Sequence, residues 1–146
     1  METVKQLREE TGLSFAQIKK ALDEVGGDVD AARLKLKEYS AAQADKKSDR
    51  EVTAGAVASY VHSTATMGAI VSVGCETDFV ANNPDFRSFT SDLAMHVCAM
   101  NPSDMEECLA QGFVKNGEIT VQDYINQAIQ KFGENVKINN FTRYAI

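Results

Sequence analysis

The fold turns on Val57-Ala58-Ser59-Tyr60-Val61-His62, followed by Ser63-Thr64-Ala65-Thr66 and then by Ala69-Ile70-Val71-Ser72-Val73-Gly74-Cys75. On both sides of the middle tract the residues alternate. Val57, Ser59 and Val61 stand against Ala58, Tyr60 and His62, and Ala69, Val71, Val73 and Cys75 stand against Ile70, Ser72 and Gly74. A period of two is the repeat of a strand, whose successive side chains point to opposite faces. The Ser/Thr tract supplies the turn, and an antiparallel pair is the simplest arrangement of two strands so closely joined.

Downstream the period lengthens. Asn83-Pro84 marks a helix start, because proline in the first helical position gives up an N–H that would have no partner there. The stripe Phe86, Phe89, Leu93, Val97 and Met100 follows, and Asn101-Pro102 ends it, since the residue before proline is pushed out of the α region. Ser103 with Glu106 has capping-box spacing for a short segment closed by Gly112, and Asn116-Gly117 signals a tight turn. Val121, Tyr124, Ile125, Ala128, Ile129 and Phe132 hold i, i+3, i+4 spacing up to a stop at Gly133. A last strand is expected from about Val136 to Ile146, with Val136, Ile138, Tyr144 and Ile146 on one parity and Phe141 on the other. Either a bulge at Asn139-Asn140 resets the parity, or the sheet has something to cover on both faces; the second reading is preferred. The class is α+β: a three-stranded antiparallel sheet with helices on one face, in the order β-β-α-α-β. An apolar second face would invite a partner sheet or a second copy of the chain.

Upstream, residues 1–40 read as three short helices. Thr3 with Gln6 and Ser14 with Gln17 have capping-box spacing, Gly12 and Gly26-Gly27 sit at stops, and Asp28 suits the N-cap of the third helix. The stripes are Val4 and Leu7; Phe15, Ile18, Leu22 and Val25; and Val29, Ala32, Leu36 and Tyr39. So small a bundle is expected to be marginally stable alone, and its leftover apolar surface would suit docking. From Ser40 to Glu51 the chain is polar and small, a linker or a solvated helix extension. The expected division is a bundle over 1–40, a linker over 41–52, and an α+β core and dimerisation module over 53–146.

Composition narrows the function. With 44% hydrophobic and 25% charged residues in 146, the chain is globular, and no apolar run approaches the roughly 18 to 20 residues that span a bilayer. The start Met1-Glu2-Thr3-Val4-Lys5 lacks a secretory or transit pattern, so the cytoplasm is the expected location. A formal charge of -6 repels phosphate backbones and anionic head groups, so neither direct nucleic-acid binding nor a membrane surface is expected. Cys75, Cys98 and Cys108, odd in number and without a CxxC, fit reduced and mostly buried thiols.

There is no GxxxxGK[ST], GxGxxG, HExxH or GxSxG, so no cofactor, no metal ligands and no catalytic residues are expected. The histidines are His62 and His96. His96 and Cys98 are two apart on a helix and face away from each other, which makes a poor Cys/His pair. His96 reads as a helix-surface or rim residue, and His62 as a solvated residue beside a turn.

One segment stands out. Cys75-Glu76-Thr77-Asp78-Phe79-Val80-Ala81 joins a strand end to the helix near Pro84, and it carries an aromatic in a polar connection. Phe79 either caps the nearby core or projects as a wedge with Asp78 beside it. A projecting ring that enters a crevice in another protein gains roughly 1.5–3 kcal/mol from burial.

Thr77-Asp78-Phe79-Val80-Ala81 resembles the TDFVA signature of the elongation factor Ts family, exchange factors for elongation factor Tu. Leu93-Ala94-Met95-His96 with Ala99-Met100-Asn101-Pro102 resembles the family's LAMH...AMNP helix, and Phe132-Gly133-Glu134-Asn135-Val136 its GEN-type junction. Leu7-Arg8-Glu9, Thr11-Gly12, Lys19-Lys20-Ala21-Leu22 and Gly27-Asp28 are similar to the family's ubiquitin-associated-like N-terminal domain. The resemblance implies that the bundle docks on the nucleotide-binding domain of elongation factor Tu and that the Asp-Phe pair lies near the partner's magnesium. Thr77, Asp78, Phe79 and Val80 would then form the magnesium-displacing tip. Phe15 and Ala16 fall where many members have an exposed apolar pair, and Lys19 follows on that helix. For Phe15 a core position fits the stripe equally well.

Lys47 matches a family lysine that reaches the partner, although a linker charge is often only solvated, and His62 resembles a family histidine near the partner's later domains. The partner would be met both GDP-bound and nucleotide-free. With material for one core module, the chain is similar to the short members of the family, which pair two copies, so a homodimer is expected. The competing readings are an adaptor whose bundle binds ubiquitin-like or other peptides, indifferent to Phe79, and a thiol enzyme through Cys75 or Cys98.

Overall fold

Local caps set the helical boundaries of the computed structural model, which describes residues 1–146. Helix α1 (Glu2–Thr11) starts from Met1 with no side-chain cap and ends at Gly12. Thr3 therefore lies inside the first turn, and the expected Thr3/Gln6 box does not form. Ser14 and Gln17 make the reciprocal box that opens α2 (Phe15–Glu24). Asp28 accepts from Asp30 N and Ala31 N to open α3 (Val29–Lys47). Leu7, Leu13, Ile18, Ala21, Ala32 and Leu36 form the buried centre of these helices.

Helix α3 does not stop at residue 40 but runs on to Lys47, so the first part of the polar stretch is helical. It lies along α7 (Val121–Phe132), where buried Ser40 bonds the Gln130 side chain and Lys37 Nζ sits 3.3 Å from Asp123 Oδ2.

The sheet has β1 (Ala54–Val61) and β5 (Lys137–Ala145) on either side of β2 (Met67–Cys75), all antiparallel. The 63–66 tract is the turn between β1 and β2, with Ala65 at a positive φ of 58°. Ala56, Val73 and Ile138 lie in register on the inner face, as do Ala58, Val71 and Phe141. Ile138 pairs with Val73 and Asn140 with Ser72, which leaves Asn139 as the extra residue of a bulge. The bulge resolves the parity of β5, against the preferred reading: Phe141 packs on the same core as Ile138. The outer face nonetheless exposes Val57, Val61, Ile70 and Tyr144.

Helix α5 (Pro84–Met100), capped by Asn83, crosses the inner face. Phe86, Phe89, Leu93 and Val97 are buried there, while Met100, the last of the expected stripe, is exposed. Asn101 ends α5 in the left-handed conformation, which asparagine tolerates. Helix α6 (Met105–Ala110) is capped by Asp104 instead of Ser103; Ser103 bonds Glu107 instead. A small hairpin, β3 (Gly112–Phe113) with β4 (Asn116–Thr120), precedes α7. Phe113 pairs with Asn116, so the turn is at Val114-Lys115, two residues earlier than the sequence suggests, and Asn116-Gly117 begins the return strand. Thr120 and Asp123 box the start of α7, and Gly133 ends it at φ 74°, a conformation that costs glycine little.

Candidate functional site

At the end of β2 the chain leaves the sheet at Cys75 and forms a single helical turn, α4 (Asp78–Ala81). Thr77 caps it: Oγ1 accepts from Val80 N at 3.3 Å. One turn fixes several dihedrals for few hydrogen bonds and is not stable by itself, so its neighbours must hold it. On the far side Arg87 does so, donating from Nε to Ala81 O at 2.7 Å and from Nη2 to Asn82 Oδ1 at 3.0 Å. On the near side the Cys75 thiol donates to Thr77 O at 3.3 Å.

The remaining ties come from the α7–β5 junction. Glu134 Oε1 accepts from the backbone N–H of Glu76 and of Thr77, both at 3.0 Å, and Oε2 accepts from Thr77 Oγ1 at 2.7 Å. In return Asn135 N donates to Glu76 Oε2 at 2.7 Å, and Asn135 Nδ2 to Arg50 O at 2.7 Å. Sequence reasoning quoted Glu134 and Asn135 only as part of a junction and gave them no role.

The side chains of α4 then divide. Val80 and Ala81 are buried against the core, whereas Phe79 is 85% exposed and Thr77 and Asp78 are exposed beside it. Phe79 is therefore no cap on its own core. Of the four residues expected in the tip, Val80 anchors from within and the other three face solvent.

The outlying candidates lie elsewhere. Phe15 opens α2 at 48% exposure and is not among the residues packed on the bundle core; Ala16 and Lys19 are exposed on the same helix. Lys47, the last residue of α3, is half-buried and donates to Gln43 Oε1 at 3.4 Å. His62 follows β1, half-buried, with Nδ1 3.1 Å from Tyr60 Oη. It stands at the opposite end of β2 from α4, about 26 Å away at the rise of a strand. These residues form no single pocket; a partner touching them all must be a large molecule.

His96 is not a surface residue. It is fully buried, with Nδ1 accepting from Val114 N at 3.1 Å, which leaves Nε2 to carry the proton and donate to Gln111 Oε1 at 2.9 Å. Burial lowers its pKa, and the Gln111 bond opposes that. All three cysteines are free and buried. Burial first, and then the Glu134 carboxylate, raises the pKa of Cys75, and burial raises Cys108 to about 11, so neither favours a thiolate.

The family model described as Elongation factor TS matches residues 76–146, beginning at the tip. The elongation factor Ts of Rubrobacter xylanophilus is 37% identical over 191 aligned positions that take in 100% of this chain and 98% of the relative. That of Herpetosiphon aurantiacus is 36% identical over 100% of this chain and 96% of its own.

The chain belongs to the elongation factor Ts family. Membership gives it a role in translation elongation. The alignments are longer than the 146 residues present, so these elongation factor Ts relatives carry segments that this chain lacks. The elongation factor Ts of Trichlorobacter lovleyi is 39% identical over 97% of this chain but only 46% of its own length. No helix is long and apolar enough to cross a membrane.

Proposed function

We propose that the chain is a guanine-nucleotide exchange factor for elongation factor Tu, and that Phe79 and Asp78 form the element that opens the partner's nucleotide site. The observation that carries this reading is a phenylalanine 85% exposed on a one-turn helix that is tied down at both ends. An aromatic left in water gains little at home and much in a partner's crevice. Phe79 wedges between side chains of the partner; Asp78, exposed at the same tip, holds that tip in register, and the magnesium site is disturbed. Mg²⁺ offsets the charge of the bound diphosphate, so displacing it leaves phosphate oxygens poorly compensated and GDP departs faster.

No covalent chemistry is involved, and the chain is not an enzyme in this reading. It acts by stabilising the nucleotide-free partner, and linkage requires nucleotide to weaken factor binding by the same factor. Thr77 caps the tip and Val80 anchors it. The ubiquitin-associated-like bundle, through Phe15, Ala16 and Lys19, docks on the partner's nucleotide-binding domain, with Lys47 and His62 as further contacts. Two copies associate through the apolar outer face of the sheet, and the pair works in the cytoplasm. The test is release of a fluorescent GDP from elongation factor Tu with and without this protein. A strongly accelerated release is expected; no acceleration would overturn the proposal.

A further inference from the structure

We infer that Glu134 is the positioning residue that sets the pose of the Thr77-Asp78-Phe79 tip, an inference that rests on the exchange reading above. One carboxylate takes three donors from two consecutive residues, the backbone N–H of Glu76 and Thr77 and the hydroxyl of Thr77, across 57 to 58 positions of sequence. Such charge-assisted bonds are roughly twice as strong as neutral ones. They also set the direction of the Thr77 hydroxyl. With its proton given to Glu134 Oε2, Oγ1 has a lone pair for Val80 N, and the cap of α4 is complete.

The tie runs both ways, because Asn135 N holds Glu76 Oε2. Gly133, left-handed at φ 74°, turns the chain sharply just before Glu134. A four-residue helix cannot keep Phe79 in one orientation by its own bonds, and the α7–β5 junction does so instead.

A tip held in its binding pose pays no ordering cost when it meets a partner. A loosened one is competent only part of the time, and its apparent affinity falls by that fraction. Glu134→Ala should therefore raise the factor concentration for half-maximal GDP release from elongation factor Tu by about tenfold, with the rate at saturation retained. Glu134→Gln, which keeps an oxygen for the two N–H groups, should stay within about threefold of the parent. Thr77→Val, which removes only the Oε2 bond and the cap, moves the same way and serves if Glu134→Ala does not fold.

The decisive measurement needs no partner: amide hydrogen exchange at Glu76 and Thr77 in the full chain, expected about tenfold faster in Glu134→Ala. Unchanged exchange at those amides overturns the inference, as does an alanine variant whose half-saturation lies within about twofold of the parent, or a glutamine variant as impaired as alanine. Phe79→Ala separates the two claims. If it leaves release unaltered while Glu134→Ala frees the amides, the exchange reading fails and the assignment of the pose survives.

Discussion

Phe79 and Val80 are chain neighbours facing opposite ways: the ring is 85% exposed, and the valine beside it is 5% exposed against the sheet and α5 core. The contrast separates stability from function. Phe79→Ala removes no packing, so unfolding should move by no more than about 0.5 kcal/mol, while stimulated GDP release falls strongly even at saturating factor. Phe86→Ala, at a fully buried ring of α5, should cost about 3–5 kcal/mol. Thermal melting and stopped-flow release on the two variants check both halves, and an unimpaired Phe79→Ala would remove the wedge.

On the outer face Ile70 pairs with Ser59 on one side and Thr142 on the other, with Val61, Val57 and Tyr144 around it. Ile70→Glu should leave a single cooperative melt and convert a dimer at micromolar concentration into a monomer, because an unpaired charge cannot be buried cheaply between two copies. Light scattering checks it. A parent protein that is already monomeric would dispose of the dimer.

Gly55 faces Gly74 across the first two strands, and a Cβ placed on it would lie 2.2 Å from Val73 O. The backbone there has no flexible neighbour to move aside. Gly55→Ala should destabilise by about 1–3 kcal/mol in a denaturant titration, with the loss concentrated in β1.

His96 gives a pH signature. Its folded pKa lies below the ordinary 6.5, so the neutral ring is the folded form and the unfolded chain takes up the proton first. Stability is full above pH 6.5 and is lost as pH falls from there toward the folded pKa, by at most about 1.4 kcal/mol per pH unit. His96→Gln should lower stability at pH 8 and flatten that slope below pH 6.5. An equal slope in parent and variant would place the titration elsewhere.

Much of the architecture is legible because its causes are local. Ser14, Asp28 and Asn83 cap through their own side chains, Gly133 stops α7, and the alternation around the 63–66 turn is the strand repeat itself. The misreadings occur where two neighbours offer similar chemistry, as with Ser103 and Asp104, or where a long-range partner decides. His96 lies three residues beyond Leu93, on the buried side of α5. Its acceptable burial depends on Gln111 and on Val114 N, which no helical period announces. The TDFVA residues could be found as a motif, but whether Phe79 folds back or stands out could not. The direction is fixed by Glu134 and Arg87, one of them more than fifty residues away.

Helix α3 joins the bundle to the core as a strut about 28 Å long, fastened to α7 by Ser40 and Lys37. For a partner that meets both Phe15 and Phe79, the molecule behaves like a caliper. Once one jaw has engaged, the other is presented at an effective concentration set by the strut and not by the solution, so two contacts each too weak to persist can hold together. Cutting the ties of that strut to α7 at Ser40 and Lys37, which lie outside the bundle's buried centre, would leave both jaws intact and still loosen the grip.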